Sequence, residues 1–143
     1  MNAGAGEFVL DPRLAADTLA LGELDFCRVL LMNDARFPWL ILVPRRAGLR
    51  ELIDLAVCDQ QRLLAEINRC AHALHALLKP DKLNIAMLGN VVAQLHAHVV
   101  ARFVDDAAWP RPVWGTGSAR AYVARDADAR LSTLRTALQM HHE

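Results

Sequence analysis

The stretch from Gln94 to Val100 places two histidines two residues apart inside an apolar run. Side chains alternate between the two faces of a β-strand, so Gln94, His96 and His98 are predicted to share one face. The intervening residues then share the other face; these are Leu95, Ala97 and Val99. Polar groups on a buried face need hydrogen-bonding partners, because burying them alone is unfavourable. The pattern therefore predicts a sheet strand with a functional site on one face.

The composition is typical of one folded domain, here expected over residues 1–143. Hydrophobic residues make up 54% of the chain and charged residues 22%, which favours a buried core over disorder. Sixteen basic and sixteen acidic residues cancel, and binding to nucleic acid or an anionic membrane generally needs a basic excess. We therefore expect neither nucleic acid nor a membrane as a partner.

Three cysteines, an odd number without metal-type spacing, are interpreted as reduced thiols; they are Cys27, Cys58 and Cys70. The first six residues lack the basic and apolar regions of a secretory signal, and no apolar run approaches the length of a membrane span. These features predict a cytoplasmic protein.

The order of periodic segments predicts an α+β fold. The expected elements are a helix over 12–19, strands over 24–32 and 38–44 joined by a turn at 33–36, a long helix over 51–78 with a break near 57–59, strands over 83–88 and 91–103 joined by a turn at 89–90, a loop rich in proline and tryptophan over 107–115, and a final helix over 119–140. Antiparallel strands with the long helix on one face form a layered fold.

Three interpretations of the histidine pair stay open on the residues alone. His96 and His98 can belong to an ordinary polar strand face, or they can bind a metal ion. Zinc needs three or four ligands, however, and no acidic residue or cysteine stands at an obvious completing position. His72 and His75 share a helix face and are a weak alternative ligand pair. The third interpretation is nucleophilic catalysis, in which one histidine attacks phosphorus and the other, about 6–7 Å along the strand, stabilises the phosphate oxygens.

The sequence His96-Ala97-His98-Val99-Val100, preceded by Gln94-Leu95, resembles the histidine triad (HIT) motif, in which three histidines alternate with apolar residues. The resemblance extends over about 24–103 in the same order of elements. It implies a sheet of about five antiparallel strands with a long helix on one face and a C-terminal helix. It also implies a homodimer that hydrolyses or transfers nucleoside phosphate conjugates, such as phosphoramidates, dinucleoside polyphosphates or adenylates, through a nucleotidyl-histidine intermediate.

The resemblance also implies roles for individual residues. His96 corresponds to the nucleophile and His98 to the third histidine of the motif. Asn33 corresponds to a residue that contacts the ribose, and Asn90 to one that contacts the phosphates. Arg102 continues the parity of the motif and is predicted to bind a substrate phosphate or to form a surface ion pair. We expect no tightly bound cofactor and no protein-held metal, although a divalent cation can accompany a polyphosphate substrate.

Two departures from the family pattern concern the support of the nucleophile. Gln94 stands at the first triad position, where it can form hydrogen bonds but cannot titrate. The hairpin reads Pro38-Trp39-Leu40 where the family often has Pro-Gly-His, so a supporting histidine is absent. The alternative function is therefore a catalytically weak or inactive nucleotide-binding module. Gln94 is expected to orient His96 if the site is active.

Overall fold

A computed structural model describes residues 6–140, and within them five strands form one antiparallel sheet in the order β1-β2-β3-β5-β4. The elements are α1 (Pro12–Asp17), β1 (Thr18–Glu23), β2 (Cys27–Met32), β3 (Trp39–Pro44), a short 3-10 helix (Leu52–Asp54), α2 (Val57–Leu78), β4 (Lys82–Ala86), β5 (Ala97–Arg102) and α3 (Ala124–Ala137). The predicted α+β class, sheet size and C-terminal helix are confirmed.

The sheet has a buried core on each face. Helices α2 and α3 cover one face, where Ala97 and Val99 of β5 pack with Leu40 and Leu42 of β3. Helix α1 and the loop after β5 cover the other face, where Trp39, Ile41 and Val100 are buried with Leu14 and Val113. Because every residue of β3 and β5 is buried, polar side chains on these strands lie between packed layers. This second face carries the histidines.

Strand β1 is an element that the sequence analysis missed, because the predicted helix over 12–19 runs into it. The helix ends at Asp17, and Thr18 already has an extended backbone with φ −130° and ψ 166°. Pairing with β2, beginning with Thr18 opposite Met32, determines this switch. Tertiary pairing here overrides a local helical pattern.

The predicted strand over 91–103 is too long at its start. Strand β5 begins at Ala97, and the segment from Met87 to His96 is irregular. His96 and His98 lie on the same face, as the alternation of side chains along the strand predicts. Gln94 lies in the irregular segment before β5, so the alternation does not extend to it. The turn at 89–90 contains Gly89 with a φ of 88°, a left-handed conformation that glycine adopts without strain.

The two other predicted helices also start later than expected. The segment over 51–78 divides into the 3-10 helix and α2, with an extended backbone at Leu55 and Ala56 between them. Helix α3 starts at Ala124 rather than 119, because residues 119–122 run beside the turn between β2 and β3. No helix among the described residues is long and apolar enough to cross a membrane.

Candidate functional site

A cavity of about 740 Å³ opens on the second face of the sheet, within the range of small-molecule binding sites. His96 and His98 form part of its wall, together with Asn33 and Asn90. Its apolar lining comes from five different segments and includes Leu14, Met32, Ile41, Val92, Val113 and Trp114. The fold therefore joins the two motif histidines to a largely apolar chamber.

The ring of His96 is oriented by a main-chain carbonyl. Its Nδ1 lies 2.6 Å from the carbonyl oxygen of Gln94. A carbonyl can only accept a hydrogen bond, so in the neutral ring Nδ1 carries the proton and Nε2 has the lone pair. The His96 side chain is buried except for 6% of its surface, and Nε2 has no hydrogen bond to any described residue. The lone pair is thus available for attack on an electrophile.

His98 has the opposite tautomer. The indole Nε1 of Trp39 donates to Nδ1 of His98 at 3.0 Å, and an indole N–H can only donate. Nδ1 of His98 must therefore be unprotonated, which places the proton on Nε2. Burial and the neighbouring His96 lower the pKa of His98 to about 4. The ring is consequently a neutral hydrogen-bond donor at physiological pH.

The two rings are adjacent, with centroids 4.8 Å apart and planes inclined at 68°. Each ring has its Nδ1 held by the protein, by Gln94 and Trp39 respectively. One Nε2 then carries a lone pair and the other a proton. Such a pair can attack a phosphorus atom and donate to one of its oxygens at the same time.

The side chain of Gln94 does not contact His96, which corrects the orienting role expected for it at the first triad position. Its Oε1 accepts from the backbone N–H of Asp11 at 2.8 Å, and its Nε2 donates to the carbonyl of Val9 at 2.9 Å. The amide therefore anchors the segment before α1 to the loop before β5. The orienting group is the main-chain carbonyl of Gln94, which any residue at this position would supply.

Asn33 and Asn90 both line the cavity, where the resemblance had suggested substrate contacts. Asn33 follows β2, and its Oδ1 accepts from the backbone N–H of Tyr122 at 2.9 Å. This contact fixes the amide so that its NH₂ group remains a donor beside the cavity. Asn90 is exposed in the turn after β4.

An ion pair fastens the loop over 113–120 against the turn after β2. Arg36 forms a bidentate pair with the buried Asp34, with N–O distances of 2.8 and 3.0 Å, and donates to the carbonyl of Thr116 at 2.6 Å. Burial acts to raise the pKa of Asp34, but hydrogen bonds from Arg36 and Arg120 outweigh it and hold the pKa below its ordinary value. This contact shapes one wall of the cavity.

Arg102 does not line the cavity. Of its two predicted roles, a phosphate contact or a surface ion pair, the structure shows an ion pair with Asp106, but a buried one. Its guanidinium donates to Asp106 at 2.8 and 3.0 Å, to Asn84 at 2.7 Å and to the carbonyl of Arg111 at 2.8 Å. Only 2% of its surface is exposed. These contacts use four of its five N–H groups, so its role is to hold the loop after β5.

Trp39 is the site residue whose role the sequence analysis did not identify. It pairs with Val100 in the sheet, and Ile41 pairs with His98, so Trp39 and His98 lie on the same face of adjoining strands. The departure at Pro38-Trp39-Leu40 was visible in the sequence. The signal that could have placed Trp39 beside His98 is the shared face of the two strands.

No group of three or more His, Cys, Asp or Glu side chains in the described part of the chain is placed to hold a metal ion. His72 and His75, the weaker alternative pair, are exposed on α2. The cavity lining combines the two motif histidines with amide, indole and aliphatic groups and with the charged side chains of Arg13, Asp17, Asp34 and Arg36.

The low pKa of His98 predicts a stability that falls in mild acid. An unfolded histidine has a pKa near 6.5, whereas His98 in the fold has a pKa of about 4. Between these values the unfolded chain takes up a proton that the folded chain excludes, so stability is lost as the pH falls through this window. We expect a loss of up to roughly 3 kcal/mol, measured by urea unfolding at pH 7 and pH 4.

The variant His98→Gln is the matched control for this loss, because glutamine can accept from Trp39 but does not titrate. Its unfolding free energy should depend less on pH than that of the wild type over the same range. Parallel pH profiles for the two proteins would show that His98 titrates normally in the folded chain.

The sequence and the fold both match known proteins. The family model described as the HIT domain matches residues 13–105, more than half of the chain. A histidine triad protein of Bradyrhizobium japonicum is 47% identical with a TM-score of 0.91, covering 93% of this chain and 99% of that one. One from Marinobacter aquaeolei VT8 is 46% identical with a TM-score of 0.91, covering 94% and 98%.

More distant structures share the fold alone. A diadenosine triphosphate hydrolase of Plasmodium falciparum is 13% identical with a TM-score of 0.55, covering 97% of this chain and 84% of that one. Comparison with curated proteins finds no match.

Proposed function

The chain belongs to the histidine triad (HIT) family, and on this premise we propose that it is a nucleotide hydrolase or transferase. Its substrates are nucleoside phosphate conjugates, namely phosphoramidates, dinucleoside polyphosphates or adenylates, and it acts through a nucleotidyl-histidine intermediate. The observation that carries this proposal is the complementary pair of tautomers at His96 and His98.

In the first step the Nε2 lone pair of His96 forms a bond to the α-phosphorus. The bond from phosphorus to the leaving atom breaks, and its electron pair goes to the leaving group, which takes a proton from solvent. The histidine becomes cationic, and its Nδ1–H remains hydrogen-bonded to the carbonyl of Gln94, which stabilises the positive charge. The Nε2–H of His98 donates to a phosphate oxygen as charge develops there.

In the second step water or another acceptor attacks the same phosphorus. The bond to Nε2 of His96 breaks, and its electron pair returns to the ring while the proton of the attacking group passes to solvent. Asn33 donates to a ribose hydroxyl and Asn90 contacts the phosphate from the turn after β4. The apolar part of the cavity receives the base.

A second candidate function is nucleotide binding with little turnover, and the contacts of Gln94 favour it. Its side chain is committed to Val9 and Asp11, and so is not placed to act on the reacting groups. His98 has a pKa of about 4 and is a weak base at neutral pH. Departure of a basic leaving group would then depend on solvent for its proton.

One screen separates the two functions. Adenosine- and guanosine-linked phosphoramidates, dinucleoside polyphosphates and acyl-adenylates are incubated with the protein, and products are measured by chromatography. Calorimetry measures the binding of AMP. The enzyme hypothesis predicts a nucleoside monophosphate product from at least one class. AMP binding without product after long incubation supports the binding module, and neither binding nor product contradicts both.

We further propose that the protein is a homodimer formed at the edge strand β4. The outer edge of this strand has no partner among the described residues, and unpaired edges favour association. Ile85, Met87 and Leu88 are 45%, 39% and 51% exposed there, and Val57 and Leu64 of α2 are also exposed. A second copy of the edge would pair with these backbone groups and cover the apolar side chains.

The substitution Ile85→Lys tests this interface. We expect the wild type to sediment as a dimer and the variant to shift to the monomer in analytical ultracentrifugation, because a buried unpaired charge opposes association. Val123→Lys is the control. Val123 is 61% exposed and precedes α3, and this helix contacts β1, the strand at the opposite edge of the sheet from β4. A monomeric wild type would contradict the proposal.

A further inference from the structure

The indole of Trp39 is placed to determine the protonation pattern of His98. Its Nε1 donates to Nδ1 of His98 at 3.0 Å, and the two rings lie 5.8 Å apart. The Trp39 side chain is 6% exposed and packs against Phe37 and Trp114 with centroid distances of 6.5 and 5.9 Å. Pairing of Trp39 with Val100 fixes its backbone next to β5. The donor is therefore held rigidly on the ring that it contacts.

An indole N–H is a donor that can never accept, unlike an imidazole or an amide, which can do either. A histidine at position 39 could donate or accept, and so would permit either tautomer of His98. Tryptophan permits only the tautomer with an unprotonated Nδ1. A protonated His98 would present two N–H groups and lose this hydrogen bond, so the contact also opposes the cationic form.

We propose that Trp39 is a positioning residue that holds His98 as the Nε2–H tautomer and so makes it a hydrogen-bond donor to the substrate phosphate. The part of this inference that concerns the phosphate rests on the proposed function. The part that concerns the tautomer is a property of the protein without substrate. Trp39, which lies in the hairpin of β2 and β3, thus supports His98 rather than the nucleophile His96.

The test compares Trp39→Phe with Trp114→Phe by ¹⁵N NMR of the histidine side chains. Both tryptophans contact the ring of His98, with Trp114 at a centroid distance of 5.2 Å. Each substitution replaces an indole with a phenyl ring. Only Trp39 donates to His98, whereas the buried Nε1 of Trp114 has no partner among the described residues. The pair therefore separates the hydrogen bond from aromatic packing.

We expect His98 to be the Nε2–H tautomer in the wild type and in Trp114→Phe, from pH 8 down to pH 5. In Trp39→Phe both tautomers should be populated and protonation should begin at higher pH. If the protein turns over a conjugate, kcat of Trp39→Phe should fall roughly 10-fold, because the free energy of one hydrogen bond corresponds to about this change in rate. The effect on KM should be smaller.

An Nδ1–H tautomer in the wild type would overturn the proposal, and this measurement needs no variant. An unchanged tautomer in a folded Trp39→Phe protein would overturn it as well. Absence of turnover with every conjugate, together with the expected spectra, would contradict the proposed enzyme and the phosphate contact while supporting the tautomer assignment. Failure of the proposed function and failure of the tautomer assignment thus give different results.

Discussion

Replacement of His96 by alanine should reduce hydrolysis of a nucleoside phosphoramidate by on the order of 10³-fold or more, because it removes the attacking nitrogen. The nearby His98 cannot replace it, since its Nδ1 is occupied by Trp39 and its Nε2 carries a proton. The variant should still bind AMP, because the cavity lining is otherwise unchanged. Steady-state rates and calorimetry of the same preparation give both quantities.

His75→Ala is the matched control for this experiment. His75 is exposed on α2, on the face of the sheet opposite the cavity, and its loss should leave the rate unchanged. A His96→Ala protein that is folded, binds AMP and hydrolyses the phosphoramidate at the wild-type rate would contradict the role of His96.

Replacement of Arg102 by alanine should destabilise the fold by about 3–5 kcal/mol, the usual effect of breaking a buried ion pair. The carboxylate of Asp106 would lose its charged partner while 5% exposed, and Asn84 would lose its donor. Burial acts to raise the pKa of Asp106, but its hydrogen bonds from Arg102 and from three backbone N–H groups outweigh this and hold the pKa well below its ordinary value. Urea unfolding at neutral pH measures the loss.

Arg125→Ala provides the corresponding surface control. Arg125 and Asp126 are 92% and 62% exposed and 3.8 Å apart, so their pair should contribute less than about 1 kcal/mol. Because small domains are stable by only about 5–15 kcal/mol, the two variants should differ clearly in their midpoints. Equal midpoints would mean that the Arg102 contacts do not stabilise the loop after β5.

The face that carries the histidines could be predicted from the sequence because it depends on local alternation. His96 and His98 share a face, and Leu95, Ala97 and Val99 pack on the other side with α2. The hairpin of β2 and β3 and the long helix follow from equally local patterns. Periodicity therefore located the elements that position the nucleophile.

The partners of these residues depend on contacts between distant segments and could not be read from periodicity. The side chain of Gln94 forms hydrogen bonds with Asp11 and Val9, which are 83 and 85 positions earlier in the chain. Trp39 forms a hydrogen bond with His98, 59 positions later. Arg102 followed the parity of the strand, but the loop after β5 folds back and buries it. Strand β1 was missed for the same reason, since its conformation depends on pairing with β2.

The measurement that tests the central claim most directly is peptide mapping of the protein after reaction with a nucleoside phosphoramidate, quenched in alkaline denaturant to preserve a phosphorus–nitrogen bond. We predict a covalent adduct of one nucleotidyl group on His96. An adduct on a residue other than His96 would contradict the account.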